Sequence, residues 1–183
     1  MLSTTLYRNH LPLVDTMQPL CSARLTSKIS ESESESENFM TNNYNKDFIR
    51  SALPHGESFI FLESIEHFCP DTSTISSNIY IDPLDTRFDG HFEEEKIFPA
   101  VFQIEALAQL SGILHRLSPA TEDSDKAFLT NSNIAFKNVI HPGSTVLLTS
   151  KIKTQFGATT EFIVSTSIDG KAASKGTLRL TSV

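Results

Sequence analysis

The sequence predicts an α+β domain in which an antiparallel β-sheet curls around one long helix. Three observations carry this. Two β-like runs, residues 59–68 and 72–81, come first; one apolar stretch, VFQIEALAQLSGILHRL, follows Pro99; and four further β-like runs fill the rest of the chain. A helix apolar around most of its circumference must be covered on nearly all sides, and in so small a domain only a sheet offers that cover. The order of two strands, one helix and four strands differs from the alternating pattern of a doubly wound α/β fold.

The domain is expected over residues 46–183, behind a poorly ordered extension over 1–45. Residues 1–39 are rich in Ser and Thr, lack clear periodicity and end in the run Glu31 to Glu37 of alternating Glu and Ser. Such a run repels itself and buries nothing that could offset chain entropy. Arg8, Arg24 and Lys28 face only one acid, Asp15, in the first 30 residues, so import into an organelle is one reading. The plainer reading is a tail ahead of a second start at Met40.

The first strand is expected within FIFLESIEHF (Phe59–Phe68). The second, Thr72–Ile81, ends at the turn signal Asp82-Pro83. In the helix Val101, Phe102, Ile104, Leu107, Ala108, Leu110, Ile113 and Leu114 spread around the axis, and Pro119 stops the pattern. The later strands are expected at about 126–137, 144–155, 160–168 and 171–181. Val146, Leu148, Ser150 and Ile152 alternate with Leu147, Thr149, Lys151 and Lys153, while Phe162, Val164, Thr166 and Ile168 share a face. Asp169-Gly170 is a two-residue hairpin signal between the last two strands.

Composition narrows the function. A net charge of −7 with no run of Lys and Arg disfavours nucleic acid as a partner. No apolar run approaches bilayer length, and a secretory signal pattern is missing, so a cytoplasmic protein without a membrane partner is expected. Cys21 and Cys69 form no disulfide framework and have no metal-ligand spacing, which fits a reducing compartment. None of the six histidines pairs with another ligand at a metal-binding spacing, and no GxSxG elbow, phosphate-binding glycine loop or nicotinamide fingerprint occurs.

Two residues stand out as candidates for chemistry. Glu105 lies one turn into an apolar helix, where an ionised carboxylate is costly to bury; a carboxyl kept neutral there could hand a proton to a leaving hydroxyl. The other reading is a glutamate that faces solvent or pairs with a base. His91, in the charged loop ahead of the helix, could act as the complementary base, because an imidazole titrates near neutrality.

The segment as a whole sharpens this. Gly90-His91-Phe92, Pro99-Ala100-Val101 and Ile104-Glu105-Ala106-Leu107-Ala108-Gln109 together resemble the signature of FabZ-type 3-hydroxyacyl-acyl carrier protein dehydratases, as does the fourteen-position separation of His91 and Glu105. Leu53-Pro54-His55 with Phe59, and Phe136-Lys137 with His141-Pro142-Gly143, extend the resemblance from about residue 50 to the C-terminus.

The resemblance implies a hot-dog fold and a homodimer, with a trimer of dimers as a further assembly. It implies dehydration of 3-hydroxyacyl chains on acyl carrier protein, with His91 of one protomer removing the α-proton and Glu105 of the other protonating the β-hydroxyl. The backbone N–H of Ala100 would hold the thioester carbonyl, aided by the helix dipole. Phe92, Phe98 and Phe102 would line the acyl tunnel, or serve as ordinary core. His55 falls at a position taken as structural. Lys96, Lys126 and Lys137 would dock the acidic carrier protein. Neither metal nor redox cofactor is expected.

This chain departs from the family pattern in its loop and around the expected tunnel. Glu93 and Lys96 replace prolines, which makes the loop before the helix more charged and less rigid. Ala100 replaces a glycine, adding a methyl group and, if that glycine needs positive φ, strain. Glu63 and Ala135 replace an acid at the first strand end and an arginine before Phe136. These departures suggest a dedicated pathway of polyene or polyketide-like type. They also keep two rivals open, a hot-dog acyl thioesterase and a non-catalytic subunit that binds carrier protein.

Overall fold

The computed structural model describes residues 44–88, 96–118 and 126–183. The expectations for residues 1–43, and those for His91, Phe92 and the loop acids Glu93 to Glu95, lie outside the described residues. A short helix α1 (Lys46–Ala52) opens the domain, capped by the Asn45 side chain, which accepts from the backbone N–H groups of Asp47 and Phe48. Strands β1 (His67–Cys69) and β2 (Thr74–Tyr80) follow, then the long helix α2 (Ala100–Leu117). The chain ends in β3 (Ala127–Phe136), β4 (Thr145–Phe156), β5 (Thr159–Ile168) and β6 (Lys171–Ser182).

All six strands form one antiparallel sheet in the order β1-β2-β4-β5-β6-β3. The strand alternation read from the sequence sets its inner face. Val146 and Leu148 of β4, Phe162 and Val164 of β5, and Leu178 and Leu180 of β6 are each no more than 3% exposed, as are Leu107, Leu110, Ile113 and Leu114 of α2. Each such side chain contributes about 1.5–3 kcal/mol by leaving water. Asp169 and Gly170 both take positive φ, 48° and 75°, which is the geometry of a two-residue hairpin whose twist matches its strands.

Two expectations need correction. The run Phe59–Phe68 is a strand only over His67–Cys69. Before that, a 3₁₀ turn covers Glu57–Phe59, and the following backbone bonds elsewhere: Phe61 N–H to the Gln109 side chain and Ile65 N–H to the Tyr44 carbonyl. Its apolar residues Phe61, Leu62 and Ile65 are buried all the same, which is why the composition mimics a strand. Secondly, α2 is not covered throughout, since Val101 in its first turn is 64% exposed. Cys69 is buried, and Cys21 lies outside the described residues.

Gly176 marks the tightest backbone approach. A Cβ there would lie 2.6 Å from Ile134 Cα and closer still to the Asn133 carbonyl oxygen, so β6 can pair with β3 only as glycine. β3 is a sheet edge, ten residues long, and it leaves Phe128, Leu129 and Phe136 at least 40% exposed.

Candidate active site

Glu105 projects from the second turn of α2 into a cavity of about 130 Å³. One wall is the α2 face formed by Glu105, Ala108, Gln109, Gly112, His115 and Arg116; the others come from residues 52–55, the start of β3 and Leu180. The Glu105 side chain is 22% exposed. Its Oε1 accepts from Gln109 Nε2 at 3.0 Å and lies 3.3 Å from His55 Nε2. Both contacts fall on one oxygen.

Gln109 holds this arrangement. It is 1% exposed, it accepts from Phe61 N–H at 3.0 Å, and its Nε2 donates to both Phe59 O at 2.9 Å and Glu105. One side chain thus ties the 59–61 segment to the carboxyl one helical turn before it. The same hub reaches Arg87. Arg87 lies 4.4 Å over the Phe61 ring and donates to Asp85 at 2.6 Å, in the 3₁₀ turn at Thr86–Phe88. Burial works to raise the Asp85 pKa, but the hydrogen bonds and charge of Arg87 outweigh it and hold this carboxyl below its ordinary value.

Ala100 lies in a second cavity, of about 220 Å³, with Ile97, Phe98, Gln103, Lys137 and Ile140 among its lining. As first residue of α2 it has helical backbone, and it is not among the positive-φ residues, so alanine is unstrained here. The N-cap is Pro99, which supplies no side-chain cap. The first N–H groups of a helix lack intrahelical partners, and that of Ala100 is one of them. Gln103 is 4% exposed, and its Oε1 has no hydrogen-bond partner among the described residues.

Phe98 lines the Ala100 cavity but is 2% exposed, and it packs with Phe61 and Phe102 at ring separations of 6.1 and 6.4 Å. Neither Phe98 nor Phe102 borders the Glu105 cavity. Lys96, Lys126 and Lys137 are all exposed. Lys126 and Lys137 flank opposite ends of β3, about 35 Å apart at strand spacing, so one protomer does not gather them into a single patch.

Sequence reasoning passed over two residues of this site. Gln109 was visible only as part of a motif, although its i,i+4 spacing from Glu105 on a helix was the available signal. His55, expected at a structural position, touches the candidate acid. Its buried Nδ1 has no hydrogen-bond partner among the described residues.

Residues 67–177 match the family model of ApeI-like proteins, described as ApeI dehydratase. The 3-hydroxyacyl-[acyl-carrier-protein] dehydratase FabZ of Lactococcus lactis subsp. cremoris strain MG1363 is 30% identical over 136 residues, covering 74% of this chain and 93% of the relative. FabZ of Streptococcus thermophilus strain LMD-9 is 29% identical over 130 residues, covering 71% and 91%. Among solved structures, the dehydratase heterocomplex ApeI:P of Xenorhabdus doucetiae has a TM-score of 0.62 at 19% identity, over 74% of this chain and 90% of that one. Zebra fish thioesterase superfamily member 2 has a TM-score of 0.59 at 13% identity, over 75% and 95%. These two likenesses show the fold, which is the hot-dog fold.

Proposed function

The chain belongs to the ApeI-like dehydratase family, and from that premise we propose that it converts 3-hydroxyacyl chains on the phosphopantetheine of acyl carrier protein into trans-2-enoyl chains. The observation that carries this reading is the one-sided clamp on Glu105, whose Oε1 is occupied by Gln109 and His55 while the carboxyl faces a mostly apolar cavity. In this reading His91 takes the α-proton and the C–H electron pair becomes the new double bond. The Cβ–O bond breaks as Glu105 Oε2 hands its proton to the hydroxyl, and water leaves. The Ala100 N–H, at the uncapped end of α2, donates to the thioester oxygen as negative charge grows there. Paired acid–base groups suffice, and no metal or redox cofactor takes part.

Two observations favour a site completed by a second copy of the chain. Glu105 and Ala100 open into different cavities of one protomer. The long β3 edge, with Phe128, Leu129 and Phe136 exposed, offers unpaired backbone and apolar surface for continuing the sheet. Antiparallel pairing of two β3 edges would also bring Lys126 of one copy toward Lys137 of the other. That would make the carrier-protein docking surface a property of the dimer.

The test is incubation of the full chain with a 3-hydroxyacyl carrier protein, followed by mass spectrometry, with His91→Ala and Glu105→Gln alongside. Loss of one water per acyl chain, abolished by both substitutions, is expected. Release of free thiol would favour a thioesterase, and binding of carrier protein with intact substrate would favour a non-catalytic subunit.

A further inference from the structure

The cavity at Glu105 extends along α2, and its floor has a gap. Glu105, Ala108, Gly112 and His115 follow one another at three- to four-residue steps on one helix face, with Ala52, Leu53, Pro54, Ala127 and Leu129 among the facing residues. The middle of this groove is apolar and its far end is lined by His115 and Arg116. His115 is fixed there, with Nε2 3.0 Å from Ser182 Oγ and Nδ1 3.2 Å from Thr160 Oγ1.

Gly112 is the residue that geometry does not require. A glycine inside a helix is less favourable than alanine, and this one is neither at a positive φ nor pressed against a neighbour. A Cβ built on it would meet only Leu180 Cδ1, at 3.9 Å, which is ordinary contact. This is the reverse of Gly176, where backbone fills the space. What Gly112 leaves is open width in the groove, seven residues beyond the candidate acid, or about 10 Å along the helix axis.

We propose that Gly112 sets acyl-chain selectivity, by keeping open the groove through which the tail of the substrate runs from Glu105 toward His115. The proposal rests on the dehydratase reading. It commits to an aliphatic tail as occupant because the groove is continuous with the acid that acts on the third carbon and is lined by apolar residues from there to His115. With C–C bonds of about 1.5 Å, a tail would reach Gly112 on the order of eight carbons beyond the reacting one. Side chains at position 112 should leave short acyl chains room and obstruct long ones.

The experiment compares kcat/KM of the full chain for four-carbon and fourteen-carbon 3-hydroxyacyl carrier proteins, in the unsubstituted protein, Gly112→Ala and Gly112→Leu. The long-to-short ratio is expected to fall about tenfold in Gly112→Leu and by less in Gly112→Ala. The readout is a ratio, so a general loss of folded enzyme cancels, and Gly112→Ala carries the test if the larger variant does not fold. A ratio unchanged in the variants overturns the proposal and leaves the dehydratase reading standing. An unsubstituted chain that dehydrates neither substrate overturns both. A ratio that falls only where dimerisation also fails assigns the groove to the second copy and overturns the proposal.

Discussion

Replacement of Gln109 by leucine tests whether the clamp on Glu105 is mechanism or mere packing. Leucine keeps most of the volume and deletes three hydrogen bonds: from Phe61 N–H, to Phe59 O and to Glu105 Oε1. Phe59 is 43% exposed, so its carbonyl can turn to water at little cost. Phe61 is 8% exposed, and its orphaned N–H loses about 1–3 kcal/mol. The lost bond to Glu105 adds roughly 1 kcal/mol, for a total of about 2–4 kcal/mol. Denaturant titration measures that quantity. Activity should fall further than stability explains, because a carboxyl free to swing no longer meets the hydroxyl: kcat is expected to drop about 10- to 100-fold at a temperature where the variant remains folded. Gln109→Glu separates the two effects. It retains an acceptor for Phe61 N–H, but it removes both donors and sets a second acid beside Glu105. A folded Gln109→Leu with unchanged kcat would refute the positioning role and leave Gln109 a structural residue.

Further outcomes follow from backbone and burial. Gly176→Ala should lose more than about 3 kcal/mol in equilibrium unfolding, because the methyl meets β3 backbone that cannot move without unpairing the edge; a near-native midpoint would contradict this. Burial holds His115 below the ordinary histidine pKa. The unfolded chain therefore binds a proton, near about pH 6.5, that the folded chain refuses. This stability is fully present above about pH 6.5 and is lost as pH falls from there toward the lower folded value. His115→Gln should flatten that acid slope in unfolding measured from pH 8 to 5. An equal slope in both proteins would show that other groups carry it.

β4 and β5 were legible because each has one wetter and one dry face, so period two is written directly into Val146–Ile152 and Phe162–Ile168. The helix was legible for a similar reason: its coating is apolar and Pro99 precedes it. Phe59–Phe68 misled because burial, not pairing, selects Phe61, Leu62 and Ile65, and sequence composition reports burial. The backbone partner that replaces the strand ladder there is a side chain 48 residues away, Gln109, and local pattern carries no trace of such a bond. The site divides the same way. Glu105 could be found because a carboxyl on an apolar helix is unusual. His55 could not, since only the fold carries Leu53-Pro54-His55 back across α2 to reach it.

The partition of Ala100 and Glu105 between two cavities has a consequence that mixing experiments can expose. Suppose each site takes His91 from one copy and Glu105 from the other. His91→Ala and Glu105→Gln are then each inactive alone. In a mixed dimer one site receives both defects and the other receives none, since the His91→Ala copy still carries Glu105 and the Glu105→Gln copy still carries His91. Random exchange makes half the dimers mixed, each with one of two sites intact, so activity should return to about a quarter of the unsubstituted protein. Differently tagged copies report how much mixed dimer has formed, and activity should rise in proportion to it. If mixed dimers form and no activity returns, His91 and Glu105 act within one protomer. The His91 loop would then have to fold over the Glu105 cavity of its own chain, and the carbonyl donor would have to be sought there instead of at Ala100.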